Sequence, residues 1–256
     1  MAVPPIVIRE IWRYPIKSLG GESLGDADVG QRIVGDREFG VFDAASGKLL
    51  SAKSVPALLT LGARWHDGQT QLRLAEQWVT AESPAGVAAI AAAIGRPVVL
   101  RRAAIDDISH IDMEIDDGVD RAAELATFET QPGMLFDSRS PLHLVSDATL
   151  QSLGHDHQPG AADVRRYRPN LVVDGIAALA EDAWVGRSLM LGTVMATVRC
   201  KTERCVLPSR SQPAGVDEDR SLLRFLNSQR GFCVGVYLQI ERPGRFAVGD
   251  AVTLLS

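Results

Sequence analysis

The chain has 256 residues, of which 46% are hydrophobic and 23% are charged. This length and composition predict one large or two modest globular domains and exclude an intrinsically disordered chain. The net charge of −5 argues against a general nucleic-acid binder, and three cysteines are too few for a secreted disulfide framework or a protein-held iron–sulfur cluster.

The first residues contain no basic segment followed by an apolar one, which argues against a secretory signal peptide. The most apolar stretch, residues 87–94, is far shorter than the about 20 residues that a membrane-spanning helix needs. We therefore expect a cytoplasmic protein with neither a membrane nor a nucleic acid as its partner.

The first part of the chain has the pattern of a β-rich domain with one clear helix. β-Branched and aromatic residues cluster between turn residues, which predicts strands at 6–14, 26–34, 38–43 and 98–101 and a hairpin within 71–80. Residues 54–61 predict one or two helical turns. Ser83 and Pro84 are favoured at the start of a helix and Gly95 at its end, so an alanine-rich helix is predicted between them.

The stretch 106–133 is acidic and has no clear period, and we interpret it as a connection. The domain boundary is placed at its start. Residues 1–105 and residues 106–256 are therefore predicted to form two domains.

The second part again alternates short strands with turn signals. Strands are predicted at 141–145, 171–174, 188–191, 194–200, 232–240 and 246–255, with a hairpin turn at Gly192 and Thr193. Ser146 is predicted to cap a helix that Gly154 ends, and Asp217 to cap another. Many short strands, few helices and no strand–helix–strand alternation predict a mainly β (α+β) fold of barrel type with a few packed helices.

Three arginines stand directly before the strand at 171–174, at positions 165, 166 and 168. Their charges repel one another unless an anion lies nearby, so they indicate a phosphate site; a solvated basic turn is the alternative. Pro169 fixes the direction in which Asn170 enters the strand. At the turn Lys17-Ser18, the lysine can place its charge on a phosphate while the serine donates a hydrogen bond, and an exposed surface lysine is the ordinary interpretation. Asp36-Arg37 has the ordinary interpretation of a local ion pair.

Cys205 is flanked by Lys201 and Arg204, and cations favour a thiolate, which suits a soft metal. Cys233 lies in an apolar strand and is expected to be a buried small hydrophobe, and His143 a core histidine. A zinc site is a weaker alternative, because the spacing between its cysteines is wide. Its ligands would be Cys200, Cys205, His155 and His157.

Eight short motifs, in order, resemble those of the MOSC family (molybdenum cofactor sulfurase C-terminal domain), and in particular two-part MOSC proteins similar to the mitochondrial amidoxime-reducing component and its bacterial relatives. The motifs are 14–18 (YPIKS), 35–37 (GDR), 141–146 (PLHLVS), 167–173 (YRPNLVV), 181–186 (EDAWVG), 204–205 (RC), 235–237 (GVY) and 243–252 (PGRFAVGDAV). The resemblance implies an N-terminal MOSC-type β-barrel part followed by a MOSC β-barrel domain.

The resemblance also implies a molybdenum cofactor, a pterin dithiolene with a phosphate tail. By analogy, Cys205 is the catalytic residue and the thiolate ligand of molybdenum. The residues implied to hold or line the cofactor are Lys17, Ser18, Arg37, Ser146, Arg168, Asn170 and Tyr237. The implied activity is that of an oxidoreductase that removes an oxygen atom from N-hydroxylated substrates.

Two features depart from the family pattern. Residues 206–213 (VLPSRSQP) differ from the segment that follows this cysteine in amidoxime reductases, and Glu203 stands where a small or hydroxyl residue is more usual. The chain has no cysteine after Cys233, so electrons are expected from a separate reductase or ferredoxin-type protein. A carrier of sulfur or of the molybdenum cofactor, without reductase activity, is one alternative function, and a metal-free protein whose basic residues are only solvated is another.

Overall fold

The computed structural model describes residues 5–103, 108, 110–115, 124–129 and 140–255. Its strands are β1 (Val7–Arg13), β2 (Glu22–Leu24), β3 (Asp26–Val29), β4 (Phe39–Asp43), β5 (Ala63–His66), β6 (Gln69–Leu74), β7 (Gln77–Thr80), β8 (Val98–Arg102), β9 (His110–Ile115), β10 (Glu124–Glu129), β11 (Leu142–Ser146), β12 (Leu171–Asp174), β13 (Ser188–Leu191), β14 (Val194–Glu203), β15 (Cys233–Arg242), β16 (Gly244–Ala247) and β17 (Val252–Leu254). The α-helices are α1 (Pro84–Ile94), α2 (Asp147–Asp156), α3 (Val164–Tyr167) and α4 (Leu222–Arg230). Short 3-10 helices cover Pro56–Thr60, Pro159–Ala162, Ala180–Trp184 and Leu207–Ser209.

The largest sheet combines strands from both ends of the chain. Its eight strands follow the order β17-β13-β14-β15-β11-β12-β1-β2, so β1 lies between its sequence neighbour β2 and the distant strand β12. β11 and β12 run parallel, with α2 and α3 in the connection between them. The expectation of no strand–helix–strand alternation is therefore wrong for this segment, because parallel neighbours require a crossover.

The start of β1, which β2 does not cover, makes further backbone hydrogen bonds with the chain just before β17. Ile8 donates its N–H to the carbonyl of Asp250, and Gly249 donates to the carbonyl of Ile8. The sheet therefore curls until its two ends approach each other. The apolar side chains inside the curl form the largest core cluster, which includes Ile8, Leu144 and Val236.

A second core lies between the smaller sheets of residues 5–103. β4 pairs with β8, and β5, β6 and β7 form a three-stranded sheet. Phe39, Leu58 and Ile90 are fully buried in this core, and Leu207 from the distant C-terminal half packs into it. Side chains from both halves thus meet around the segment that follows β14.

The mainly β class is confirmed, and several local signals are confirmed with it. Ser83 caps α1 by accepting a hydrogen bond from the N–H of Gly86, and Gly95 ends the helix at φ 72°. Ser146 caps α2, but this helix continues past Gly154 to Asp156. α4 begins at Leu222, and Asp219 rather than Asp217 accepts the hydrogen bond from its first N–H.

The stretch 106–133, interpreted as a connection without clear period, contains the antiparallel pair β9 and β10 in its described residues, so it is not a connection alone. The predicted domain boundary between residues 105 and 106 lies outside the described residues and stays a prediction. None of the helices in the described part has the length and apolar character needed to cross a bilayer.

Candidate functional site

A cavity of about 150 Å³ opens between the segments that follow β1, β4 and β14 and the strands β11 and β15. Six of the eight predicted site residues line it, namely Lys17, Ser18, Arg37, Arg168, Cys205 and Tyr237. The other lining residues are Ser51, Lys53, His143, Tyr167, Glu203, Arg204 and Leu207. Residues that are far apart in sequence are therefore brought together around one space.

The lining carries five cationic side chains and one carboxylate, although the whole chain has a net charge of −5. The cations are Lys17, Arg37, Lys53, Arg168 and Arg204, and the carboxylate is that of Glu203. Such a concentration of positive charge in a recess attracts anions and favours phosphate or carboxylate groups with several oxygens.

Three lining residues have left-handed backbone conformations that side chains usually disfavour. Ser18, Arg37 and Arg168 have φ values of 70°, 45° and 52°. Arg168 occupies the position after α3 where glycine commonly ends a helix. Each such conformation costs on the order of 1 kcal/mol and persists because surrounding contacts determine it, which is a feature of functional sites.

Two of the guanidinium groups are held in place by buried acceptors. Arg168 donates from Nη1 to the carbonyl of Leu19 at 2.6 Å. Arg37 donates from Nη1 to Asp36 Oδ2 at 2.5 Å and to Asn170 Oδ1 at 3.2 Å. Both arginines are 8% exposed. Their positions are therefore set before any ligand arrives.

Asn170 and Ser146, the remaining two predicted site residues, lie behind the lining. Asn170 is buried and supports Arg37 through the hydrogen bond just described. Ser146 is fully buried and accepts from the N–H of Thr149, while its hydroxyl lies 3.0 Å from Glu181 Oε2. In this structure neither side chain lines the cavity: Asn170 contacts the lining residue Arg37, and Ser146 contacts Thr149 and Glu181.

Cys205 lies in the loop after β14, where its partly buried side chain packs against the core of residues 5–103. Arg204 beside it donates from Nη2 to the carbonyl of Tyr167 at 2.7 Å, and its buried Nε has no hydrogen-bond partner among the described residues. Lys201, the other predicted cationic neighbour, is absent from the lining and instead pairs with Asp182 at 2.9 Å. Arg204 alone of these two cations therefore shares the cavity with the thiol.

Arg165 and Arg166 do not extend the anion site, contrary to one interpretation of the basic cluster. Arg165 bonds to Asp163 and to the carbonyls of Pro213 and Ala214. Arg166 is 2% exposed and donates to the carbonyls at positions 160, 208 and 217. Both arginines hold the segment that follows Cys205, so of the three only Arg168 faces the cavity.

The described residues contain no cluster of three or more histidine, cysteine or acidic side chains placed to hold a metal ion. This finding contradicts the zinc alternative, and His157 instead contacts Asp219 at 2.9 Å. Cys233 is partly exposed rather than buried, although burial is still the main cause that raises the pKa of its thiol.

Sequence reasoning missed Lys53 and Ser51 and did not place His143 at the site. Lys53 follows β4 without a pattern that distinguishes it from a surface lysine. His143 is buried as expected, yet it lies opposite Tyr237 on the neighbouring strand, with ring centroids 5.6 Å apart. Alternation on β11 shows which face His143 takes, but the register that puts Tyr237 beside it is not readable from either strand alone.

The residues on both sides of this cavity lie in regions of the chain that match known protein families. The family model for the MOSC N-terminal beta barrel domain matches residues 6–115, and the model for the MOSC domain matches residues 131–253. All lining residues up to Lys53 fall in the first match, and all from His143 onward fall in the second.

Two curated relatives match nearly the whole chain. Mitochondrial amidoxime-reducing component 1 from Mus musculus is 23% identical over 97% of this chain and 82% of its own length. Mitochondrial amidoxime reducing component 2 from Rattus norvegicus is 26% identical over 96% of this chain and 82% of its own length. Among solved structures, the YUAD protein from Bacillus subtilis has a TM-score of 0.45 at 9% identity, over 97% of this chain and 94% of that chain.

Proposed function

Since this chain belongs to the MOSC family and carries both of its domains, we propose that it binds a molybdenum cofactor and reduces N-hydroxylated substrates. The observation that carries the proposal is the cavity in which Cys205 and five cationic side chains meet. A thiolate is a suitable ligand for a soft metal, and guanidinium and ammonium groups are suitable for a phosphate tail.

The chemistry of the lining fits such a group. The buried Nε of Arg204, which has no partner in the described part of the chain, is a donor that an anionic ligand would satisfy. The cavity of about 150 Å³ is smaller than the about 300–1,000 Å³ of typical ligand pockets. A complete cofactor would therefore extend toward the exposed side of the cavity, where Glu203 lies.

Some residues of the chain would contact the cofactor directly. Others would fix the positions of those contacting residues. Lys17, Ser18, Arg37 and Arg168 would bind its phosphate and pterin, and Cys205 would ligate the metal. Tyr237 would line the site. Asn170 and Ser146 would act from behind, Asn170 through its hydrogen bond to Arg37 and Ser146 through the start of α2.

When bound, the cofactor would supply two-electron redox chemistry, so that an amidoxime or hydroxylamine could lose its oxygen as one water with the uptake of two electrons and two protons. The electrons would come from a separate reductase or ferredoxin-type protein. The chain itself would orient the cofactor through its fixed cations. The buried rings of Tyr167 and Tyr237 and the side chain of Leu207 would limit the entry of water.

Metal analysis is the experiment that tests the proposal. The protein is produced in a host that makes molybdopterin, and molybdenum is measured by mass spectrometry in the wild type and in Cys205→Ser. About one molybdenum per chain is expected in the wild type and a large loss in the variant.

Cys200→Ser and Cys233→Ser are matched controls that should retain the metal, because neither residue lines the cavity. Retained molybdenum and full reductase activity in Cys205→Ser would contradict the ligand assignment.

A carrier of sulfur or of the cofactor is the second candidate, favoured by the partial exposure of the Cys205 thiol. It predicts a labile sulfur adduct on Cys205 in the intact mass, or transfer of bound cofactor to another protein. Either result, together with no reduction of a hydroxylamine by the molybdenum-loaded protein and a competent electron donor, would favour the carrier over the reductase.

A further inference from the structure

The ring of Tyr14 contacts two cations of the cavity lining, Arg37 and Arg168, without being part of that lining. The guanidinium carbon of Arg168 is 4.1 Å from the centroid of the Tyr14 ring, and that of Arg37 is 4.9 Å away. Both distances are within the about 6 Å over which a cation is attracted to an aromatic face. One ring therefore contacts two of the residues expected to bind the anion.

The two guanidinium groups carry like charges, and a shared contact with one ring face offsets part of their repulsion. Asp36 offsets the charge of Arg37, to which it is hydrogen-bonded at 2.5 Å. Arg168 donates to the neutral carbonyl of Leu19. An electron-rich ring face lowers the cost of holding both cations in a buried place, where their repulsion is stronger than in water.

The position of the Tyr14 ring is fixed from two sides. Its backbone N–H donates to Asp36 Oδ1 at 2.8 Å, and its carbonyl accepts from the N–H of Arg37 at 2.8 Å. Gly21 packs against the edge of the ring so closely that an added Cβ would lie 2.5 Å from Cδ1. The ring is thus tied to the turn that carries Arg37 and cannot easily move away from it.

The phenolic hydroxyl contributes little to this arrangement. It is buried and has no hydrogen-bond partner among the described residues. Burial is the largest cause that raises the pKa of Tyr14 well above its ordinary value, so the phenol stays neutral. Arg37 and Arg168 contact the face of the Tyr14 ring and form no hydrogen bond with its hydroxyl in the described part of the chain.

We propose that Tyr14 is a positioning residue whose ring holds Arg37 and Arg168 in the orientation that binds an oxyanion in the cavity. The identification of this oxyanion as the phosphate of a cofactor rests on the proposed function. The positioning role itself rests on the ring contacts, and it predicts that a free phosphate ion binds to the cavity.

Inorganic phosphate is the probe, titrated by calorimetry at constant ionic strength. Wild type and Tyr14→Phe should bind it equally, because both have the ring face. Tyr14→Leu should bind about tenfold more weakly, which corresponds to the loss of cation–π contacts in a desolvated site. Trp78→Leu is the control, since it removes a ring under Arg64, at 4.3 Å, that is not part of the cavity lining.

A second series keeps the shape of the ring and so avoids a folding defect. Fluorinated phenylalanines at position 14 weaken the electron-rich face with little change in volume, and phosphate affinity should fall as fluorine is added. Unchanged affinity in Tyr14→Leu or across the fluorinated series would overturn the inference, and so would an absence of phosphate binding in the wild type.

The molybdenum content of the wild type separates this inference from the proposed function. If the wild-type protein contained molybdenum but bound no inorganic phosphate, the proposed function would be supported and the positioning role of Tyr14 would be contradicted. Phosphate binding that depends on the ring, in a protein that never acquires molybdenum, would do the reverse.

Discussion

Arg37 donates a hydrogen bond from Nη1 to Oδ1 of Asn170 at 3.2 Å, and the two residues are 133 positions apart in sequence. The same oxygen of Asn170 accepts from the backbone N–H of His143, while its Nδ2 donates to the carbonyl of Trp12. One amide side chain therefore joins β1, β11 and the turn that carries Arg37. The cations of the cavity depend on supports from the other half of the chain.

Substitution of Asn170 should separate stability from anion binding. Asn170→Ala leaves the buried N–H of His143 without its side-chain acceptor, and the free energy of unfolding should fall by about 1–3 kcal/mol in urea titrations. Asn170→Asp retains an acceptor but places a carboxylate beside Arg37. Phosphate affinity measured by calorimetry should then fall about tenfold or more. Equal phosphate affinity in Asn170→Asp and the wild type would contradict the role of Arg37 as an anion ligand.

The segment after Cys205 should depend on Arg166. This buried side chain donates to three backbone carbonyls, two of which belong to residues 208 and 217. Lysine cannot bridge three acceptors, so Arg166→Lys should lower the free energy of unfolding by about 2–4 kcal/mol. Amide hydrogen exchange in residues 206–219 should become faster, as measured by mass spectrometry.

Arg220→Lys is the control for this prediction, because the Arg220 side chain is 87% exposed and pairs only with Glu218 in the described part. It should change neither stability nor exchange. If exchange in residues 206–219 stayed slow in Arg166→Lys, the segment would be held mainly by its own contacts.

Capping residues in the sequence predicted where helices begin and end. The pairing of strands that are distant in sequence could not be predicted from such residues. The capping residues Ser83 and Gly95 gave α1 its bounds, because their preferences act within one helical turn. The pairing of β1 with β12 depends on which apolar faces meet after folding, and neither strand carries that information alone. Alternation of apolar residues at 111, 113 and 115 was a strand signal, but the acidic composition of the stretch obscured it.

The same distinction applies to the candidate site. The MOSC motifs named Lys17, Arg37, Arg168 and Cys205, and the structure brings all four to one cavity. Lys53 has no motif, and it could not be told from a surface lysine until the packing of both halves placed it there. The separation of Arg165 and Arg166 from Arg168 follows from the end of α3, because Arg168 leaves the helix in a left-handed conformation and so does not share a helical face with Arg165.

Ser146 should prove more important to stability than an ordinary helix cap. Ser83 caps α1 by accepting the N–H of Gly86, and its hydroxyl donates to the carbonyl of Thr80, whereas Ser146 caps α2 and also donates its N–H to the buried carboxylate of Glu181 at 3.0 Å. Its hydroxyl lies within hydrogen-bond distance of the same carboxylate. Ser83→Ala should cost about 1 kcal/mol and Ser146→Ala about 2–3 kcal/mol in urea titrations, because the second change also removes a donor from a buried charge.

Equal losses in the two variants would show that the hydroxyl of Ser146 contributes nothing beyond its cap. Molybdenum content per folded chain provides the second measurement. A loss of metal in folded Ser146→Ala would indicate that this residue acts on the cofactor as well as on α2.

Asp219 should make stability depend on pH in the acidic range. Burial raises the pKa of its carboxyl, but hydrogen bonds from Ser221, His157 and Gln158 outweigh this effect and bring the pKa below the ordinary value of 3.8. The folded state therefore favours the ionised carboxylate more than the unfolded state does. Its contribution is fully present above the unfolded pKa and is lost as the pH falls through the folded pKa.

Urea titrations should accordingly show wild-type stability falling below about pH 4, with a smaller fall in Asp219→Asn. Glu218→Gln, an exposed neighbouring carboxylate, is the control and should retain the wild-type slope. An identical pH dependence in Asp219→Asn and the wild type would exclude this carboxylate as the source.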